Sequence, residues 1–171
     1  AQEARIRIYT HAIQRLENHP GTSAEDLTAF WKRVPNQIKA ERDLFAAYIR
    51  ALIKIHADNL AEKLLIDFLN RNWEPTLLHF FQKMQHVDVH QRLTHVEAWL
   101  TQHKDEALFR ILGQLCITHQ LWGKAQGYFE AALSTQETPF VCAQLGALLL
   151  QLGQTEESAR MFQRGLDLAL V

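Results

Sequence analysis

The chain has 171 residues, of which 47% are apolar and 22% charged, so it is long enough for one folded domain and too apolar to be disordered. Its 18 basic and 19 acidic residues give a net charge of -1, which argues against nucleic acid as a partner because no strong field attracts a polyanion. No run of about 18 apolar residues predicts a membrane span.

The predicted elements are helices throughout the chain. Apolar residues recur at helical spacing, and the four prolines stand where these patterns begin or stop. Two helix starts carry capping residues. At one, Asp88 stands three residues before Gln91. At the other, the hydroxyl residues Thr22 and Ser23 precede Glu25 and Asp26. No alternating run predicts a strand. In chain order the predicted helices are 2–18, 23–33, 41–56, 59–71, 75–85, 88–103, 105–119, 121–134, 138–152 and 155–169.

A spacing that occurs twice indicates how these helices are arranged. Leu112-Gly113, Ala125, Phe129 and Ala132-Leu133 recur 33 residues later as Leu145-Gly146, Ser158, Phe162 and Gly165-Leu166. A period of about 34 residues, with Leu-Gly on one helix and small-aromatic-small on the next, is typical of tetratricopeptide arrays. We expect the small residues to let paired helices cross closely while the phenylalanines fill the remaining gap. The sequence therefore predicts an all-α, right-handed tetratricopeptide solenoid of about ten antiparallel helices.

The same pattern is weaker upstream, where residues 45–69 fit an earlier hairpin with His56 in its turn. Residues 2–33 and 75–103 are more degenerate copies. We predict a single domain over 1–171, built from hairpins at about 2–33, 41–71, 75–103, 105–134 and 138–169.

Neither thiol chemistry nor a metal site is indicated strongly. Cys116 and Cys142 lack CxxC spacing and lie at inward-facing repeat positions, so we expect buried structural thiols. No nucleophile elbow or phosphate-binding glycine loop is present. We therefore predict a protein that is not an enzyme.

Four histidines fall in one short stretch and raise the question of haem or metal binding: His79, His86, His90 and His95. The favoured interpretation is that they are surface or partly packed residues, because Asp88 as a helix cap separates His86 from His90. We name no ligand and predict no cofactor, and haem remains the open alternative.

The exposed face of each first helix should line a groove. The predicted groove contacts are Arg50, Lys54, Arg110, Gln114, Phe140 and Gln151. The same register adds Asp43, Phe81, Met84, Ile117, Ala147 and Leu150. This mixture of cations and apolar residues suits a helix or extended peptide, or a flat apolar anion such as a porphyrin. The alternative is that neighbouring hairpins cover Phe140 and Leu150.

Both ends of the chain are unusual. It begins at Ala1 without an initiator methionine and ends on apolar residues, so we interpret it as a piece of a longer protein. Because a terminal helix normally turns a polar face to water, Leu166, Leu168, Leu170 and Val171 predict self-association, with folding back as the alternative.

Several segments resemble one known family. The most distinctive is QLWGKA at 120–125, followed by residues 99–105, 30–35, 47–52 and 72–77. Over essentially all 171 residues the chain is similar to the C-terminal half of the HemY family of proteobacteria.

This resemblance implies an inner-membrane protein whose two N-terminal spans, absent from this chain, carry a tetratricopeptide domain on the cytoplasmic side. It also implies a link to a late step of protohaem synthesis, without functional residues to transfer. The leading hypothesis is a non-catalytic scaffold that binds other proteins, and the resemblance implies that these are haem-biosynthesis enzymes. The alternative is a carrier or sensor that binds haem or porphyrin directly.

Overall fold

The structure is a computed structural model that describes residues 1–85 and 88–171. Over these residues it is helical, with no strand, which confirms the all-α prediction. The chain divides into two compact units, Ala1–Val87 and Asp88–Val171. The prediction of a single domain over 1–171 stays a prediction.

The first unit is organised around one buried helix. Its elements are α1 (Gln2–Asn18), α2 (Ala24–Arg33), α3 (Asn36–Lys39), α4 (Arg42–Lys54), α5 (Asp58–Arg71), a 3-10 turn (Pro75–Leu77) and α6 (Phe80–Lys83). Helices α1, α2, α3, α5 and α6 all contact α4. The Trp31 ring stacks on Tyr48 with centroids 4.3 Å apart, and the Phe45 ring stacks on Phe68 at 4.0 Å. Aromatic burial on both sides of α4 therefore holds this unit together.

The prediction of one continuous helix at 75–85 is wrong. The structure has a 3-10 turn at Pro75–Leu77 and a separate short helix at Phe80–Lys83. The physical reason is burial: this segment turns five apolar side chains inward, which an amphipathic helix with one solvent face would not do. They are Leu77, Leu78, Phe80, Phe81 and Met84. The short helix α3 after Pro35 was also not predicted.

The second unit follows the predicted repeat closely. Its elements are α7 (Val89–Ala98), a 3-10 turn (Trp99–Thr101), α8 (Glu106–Thr118), α9 (Trp122–Thr135), α10 (Pro139–Gln151) and α11 (Thr155–Ala169). Helix α8 packs along α9, α10 packs along α11, and α10 also contacts α9. The Asp88 carboxylate caps α7 by accepting the Gln91 amide at 3.1 Å, as predicted.

Each clear hairpin crosses at a glycine. A Cβ placed on Gly113 would lie 2.6 Å from Cε1 of Phe129, and one on Gly146 would lie 3.0 Å from Cε1 of Phe162. In the second hairpin the Ser158 hydroxyl also donates a buried hydrogen bond to the Gly146 carbonyl at 2.7 Å. The predicted close crossing of paired helices, with the phenylalanine against the glycine, is confirmed.

The turns within the hairpins share one backbone conformation. His56, Gln120 and Gly153 have φ values of 61°, 59° and 79°, in the left-handed region. The next amide in each turn then bonds back to a helix carbonyl, as Leu121 N–H does to Cys116 O at 2.8 Å. This hydrogen bond satisfies a carbonyl at the helix end and reverses the chain. The predicted position of His56 in a tight turn is confirmed.

Candidate interaction face on helices α8 and α10

Helix α10 is apolar on its outer side as well as its inner side. Its inner residues, including Cys142 and Leu145, are buried against α9 and α11. The outer residues Phe140, Ala143, Ala147 and Leu150 are exposed and follow one another at spacings of three, four and three, so they form one stripe along the helix. Phe140 is 47% exposed and Leu150 is 54% exposed. The alternative that these two side chains are covered does not hold in the described part of the chain.

Helix α8 places a cation beside this stripe. The Arg110 guanidinium carbon lies 5.9 Å from the centroid of the Phe140 ring, within cation-π range. Its Nε donates to Glu106 one turn back on α8, at 2.9 Å, so the arginine is held from two sides. The structure thus brings together Arg110 and Phe140, two of the predicted groove residues.

We define the α8–α10 face by its side chains at equivalent repeat positions. Arg110, Gln114 and Ile117 on α8 are partly buried, and each lies 33 residues before a member of the α10 stripe. The complete set is Arg110, Gln114, Ile117, Phe140, Ala143, Ala147, Leu150 and Gln151. The sequence prediction omitted Ala143, although its offset from Arg110 could have identified it. The face combines an apolar strip with one guanidinium at its edge.

The predicted groove residues of the first unit have other environments. The Lys54 ammonium lies 3.0 Å from Asn18 Oδ1 and 3.7 Å from Glu17 Oε1, so it joins α4 to the end of α1. Arg50 is exposed on α4. Asp43 is exposed and accepts a hydrogen bond from Arg42. Arg50 and Lys54 as binding contacts stay predictions.

Phe81 and Met84 were wrongly placed in the groove. Both are buried, because the short α6 turns them towards the interior of the first unit. The sequence register assumed a continuous helix at 75–85, which the structure does not have.

The thiols are buried and their electrostatics do not favour a nucleophile. Burial raises the pKa of Cys116 to about 11 and also raises the pKa of Cys142. A thiol with a raised pKa stays protonated at neutral pH, and the thiolate is the nucleophilic form. The prediction of buried thiols is confirmed.

The histidine stretch is only partly described. His79 Nδ1 lies 2.7 Å from the Thr76 carbonyl, whereas His86 lies outside the described residues. Among the residues that the structure describes, no three His, Cys, Asp or Glu side chains group closely enough to hold a metal ion.

Helices α7 and α9 are joined by a polar contact that the sequence analysis did not predict. The Glu97 carboxylate accepts hydrogen bonds from Lys124 Nζ at 2.7 Å and from the Tyr128 hydroxyl at 2.5 Å. Burial favours the neutral acid, but these two donors outweigh it and lower the pKa of Glu97. This contact fixes α9, and with it the hairpin that carries the α8 side of the face.

No protein-family model matches the chain. Over 148 residues it is 27% identical to Protein HemY of Escherichia coli K12, and equally to Protein HemY of Shigella flexneri. The chain is similar to HemY. The match covers 86% of this chain and 37% of each relative, so the chain spans little more than a third of the HemY proteins it matches.

Solved structures show the same fold. MamA 41-end from Desulfovibrio magneticus RS-1 superposes with a TM-score of 0.59 at 16% identity, covering 99% of this chain and 97% of that one. A MamA RS-1 double mutant superposes equally well. MamA is a tetratricopeptide-type helical repeat protein, so the predicted fold class is confirmed. The sequence identity with Protein HemY confirms the predicted resemblance to HemY. In residues 1–85 and 88–171 no helix has the length and apolar character needed to cross a bilayer.

Proposed function

We propose that this chain is a non-catalytic docking domain that binds an amphipathic segment of another protein along the α8–α10 face. The observation that carries the proposal is the exposed stripe from Phe140 to Leu150, with the Arg110 guanidinium at its edge. Tetratricopeptide arrays present their first helices as an extended surface, which suits a chain segment better than a small molecule.

The energetics of the stripe favour apolar anchors. Full burial of a large apolar side chain contributes about 1.5 to 3 kcal/mol, and because Phe140 and Leu150 are already about half buried, covering the rest of each contributes roughly 1 kcal/mol before the costs of association. Between them, Ala143 and Ala147 allow a partner backbone to approach α10. The partner segment should therefore present apolar side chains at helical spacing.

The charge on the face selects the polar part of the partner. Arg110 is ordered by Glu106 and Phe140, so a partner carboxylate meets a guanidinium whose conformation is already fixed. Because Glu106 offsets part of its charge, we expect one acidic group rather than an acidic cluster to be recognised.

The identity of the partners and the location of the domain are proposed from the sequence similarity to HemY. We propose that the partners are enzymes of late protohaem synthesis, and that the domain belongs to a longer inner-membrane protein and lies on its cytoplasmic side. Crosslinking of the longer protein in its own membrane tests this, with a photoreactive residue at Ala147 and a control at exposed Thr135 on α9. Enzymes of that class captured from Ala147 and not from Thr135 would support it, and equal capture from both would contradict it.

A peptide titration tests the docking proposal itself. The probes are two designed amphipathic helices with the same apolar side, one carrying a glutamate at its edge and the other a lysine. We expect saturable binding of the glutamate peptide by fluorescence anisotropy, and weaker binding of the lysine peptide. Replacing Arg110 with Gln should remove this discrimination, whereas Leu150→Glu should weaken both peptides about tenfold or more.

The matched control is Leu166→Glu, which changes another leucine of nearly equal exposure on α11. Peptide affinity should not change in this variant. Binding that is lost with Leu166→Glu but kept with Leu150→Glu would overturn the assignment of the face.

Direct haem or porphyrin binding is the alternative function, motivated by the four histidines of the sequence. Titration of haem into the chain, followed at the Soret band, separates the two functions. Docking without a cofactor predicts no saturable shift. A saturable shift that disappears when His79, His86, His90 and His95 are replaced together would support the haem carrier or sensor instead.

A further inference from the structure

A cleft lies in the first unit between helices α3 and α5. Its volume is about 460 Å³, within the range of sites that bind small molecules. We define this α3–α5 cleft by six lining side chains: Trp31, Lys39, Phe45, Asp67, Phe68 and Arg71. All six belong to the first unit, whereas the α8–α10 face belongs to the second. The cleft is therefore separate from the docking face.

The floor of the cleft consists of aromatic rings that hold one another in place. Phe45 of α4 stacks on Phe68 of α5, and both are buried. The Trp31 ring lies 6.2 Å from the Phe45 ring, centroid to centroid, and its stack on Tyr48 holds it from another side. Because these rings are fixed by their neighbours, a flat apolar ligand would meet a surface that is already formed.

Two cations line the rim of the cleft. Lys39 is the last residue of α3 and is partly buried, and Arg71 is the last residue of α5. The Arg71 Nε donates to the Asp67 carbonyl at 3.2 Å, which holds the guanidinium against the end of α5. Within residues 1–85 and 88–171 this is the one hydrogen bond of that guanidinium, and the Lys39 ammonium has no ion pair. Both cations can therefore donate to an anion in the cleft.

One carboxylate at the rim limits the charge of that anion. The Asp67 side chain lines the cleft one turn before Arg71 on α5. The two cations and this one carboxylate leave the lining with a net charge of +1. A single carboxylate on the ligand balances this charge, whereas a second one would be repelled by Asp67.

We propose that the α3–α5 cleft binds a small aromatic monocarboxylate. Its ring lies against Trp31 and the edges of Phe45 and Phe68, and its carboxylate accepts hydrogen bonds from Lys39 and Arg71. An apolar floor with a few polar groups at its rim is the usual construction of a small-molecule site. Because the cleft and the docking face lie in different units, either proposal can fail without the other.

Calorimetric titration of the chain with cinnamate tests this site, and cinnamamide is the uncharged ligand of the same shape. We expect saturable binding of cinnamate, and about tenfold weaker binding of cinnamamide because it loses the charge-assisted hydrogen bonds. Lys39→Gln and Arg71→Gln should each weaken cinnamate binding about fivefold and leave cinnamamide binding unchanged. Lys63→Gln is the matched control, since it removes an exposed lysine of α5 outside the cleft, and it should change neither affinity.

The carboxylate at the rim predicts a change of opposite sign. Asp67→Asn removes the negative charge beside the ligand, so it should strengthen cinnamate binding about twofold or more and leave cinnamamide binding unchanged. Circular dichroism of each variant checks that the helical content is retained.

Fluorine NMR of the chain labelled with fluorotryptophan shows where cinnamate binds. The Trp31 resonance, assigned from Trp31→Phe, should shift with the same midpoint as the calorimetric titration. The resonances of Trp99 and Trp122, in the second unit, should stay unchanged.

Three results would overturn the proposal. Absence of saturable binding in both measurements would show that the cleft does not take an aromatic carboxylate. Equal affinities for cinnamate and cinnamamide would exclude recognition of the carboxylate by Lys39 and Arg71. A Trp31 resonance that does not move while cinnamate binds would place the ligand elsewhere.

Discussion

The hairpins α8–α9 and α10–α11 repeat one spacing but differ in what covers them. In the first, Phe129 is wedged against Gly113 and is completely buried by α10; in the second, Phe162 contacts Gly146 and is 42% exposed. The repeat therefore determines how two helices of a hairpin cross, whereas burial is determined by the neighbouring helix. Equivalent substitutions in the two hairpins should separate these contributions.

The largest difference should come from removing the aromatic ring. Phe129→Ala should lower the free energy of unfolding by roughly 3 to 5 kcal/mol, because it leaves a cavity at a closed crossing. Phe162→Ala should cost about 1 to 2 kcal/mol, since less area returns to water. Urea unfolding followed by circular dichroism measures both, and equal losses would contradict the account.

Adding a methyl group at the crossing should show the same asymmetry on a smaller scale. Gly113→Ala places its Cβ 2.6 Å from Phe129, which has no room to move, and should cost about 2 kcal/mol. At Gly146 the distance is 3.0 Å and the exposed ring of Phe162 can shift, so the higher helix propensity of alanine, about 1 kcal/mol, should offset the remaining strain and leave Gly146→Ala close to neutral. Thermal and urea unfolding of both variants check this order.

The turns offer a change of opposite sign in the two hairpins. Gln120 has φ 59°, where a side chain is strained, so Gln120→Gly should raise stability by about 0.5 to 1 kcal/mol. Gly153→Gln, the reciprocal change at φ 79°, should lower it by about 1 kcal/mol. A loss of stability in Gln120→Gly would show that the glutamine side chain compensates its strain.

The smallest effect should depend on pH. Because the folded-state pKa of Glu97 is lowered by Lys124 and Tyr128, its stabilisation is complete above its usual pKa and is lost as pH falls through the folded value. Glu97→Gln should therefore cost under about 1 kcal/mol at neutral pH, after allowance for solvent screening, and the difference should shrink in acid.

The control for Glu97 lies one repeat later. Glu130 is its counterpart, and Glu157 stands there in place of Lys124. Glu130→Gln should lower the free energy of unfolding at neutral pH less than Glu97→Gln does, because no lysine stands at position 157. Equal losses in the two variants would show that the Lys124 contact contributes nothing.

The sequence could predict regular repeats better than irregular segments. Helices α8 to α11 begin and end within one residue of their predicted bounds, because caps, glycines and apolar spacing agree there. At 75–85 the apolar residues fit a helix pattern, yet packing against α4 divides the segment into a 3-10 turn and a short α-helix, which local spacing does not encode. This error also misplaced Phe81 and Met84.

Part of the candidate site was also accessible from the sequence. Arg110, Gln114, Phe140 and Gln151 follow from the repeat register, and so does Ala143 once the 33-residue offset is applied to Arg110. The cation-π contact of Arg110 with Phe140 and the contact of Glu97 with Tyr128 could not be predicted in the same way, because they depend on side-chain conformations across helix pairs.

The most direct test of the docking face is a methyl NMR titration of the chain with the glutamate-bearing amphipathic peptide. Saturable shifts concentrated at the methyl groups of Ala143, Ala147, Leu150 and Ile117, with Leu166 and Leu170 unaffected, are the predicted result. Shifts concentrated on α11 or in the first unit, or no saturable shifts at all, would contradict the assignment of the α8–α10 face as the binding surface.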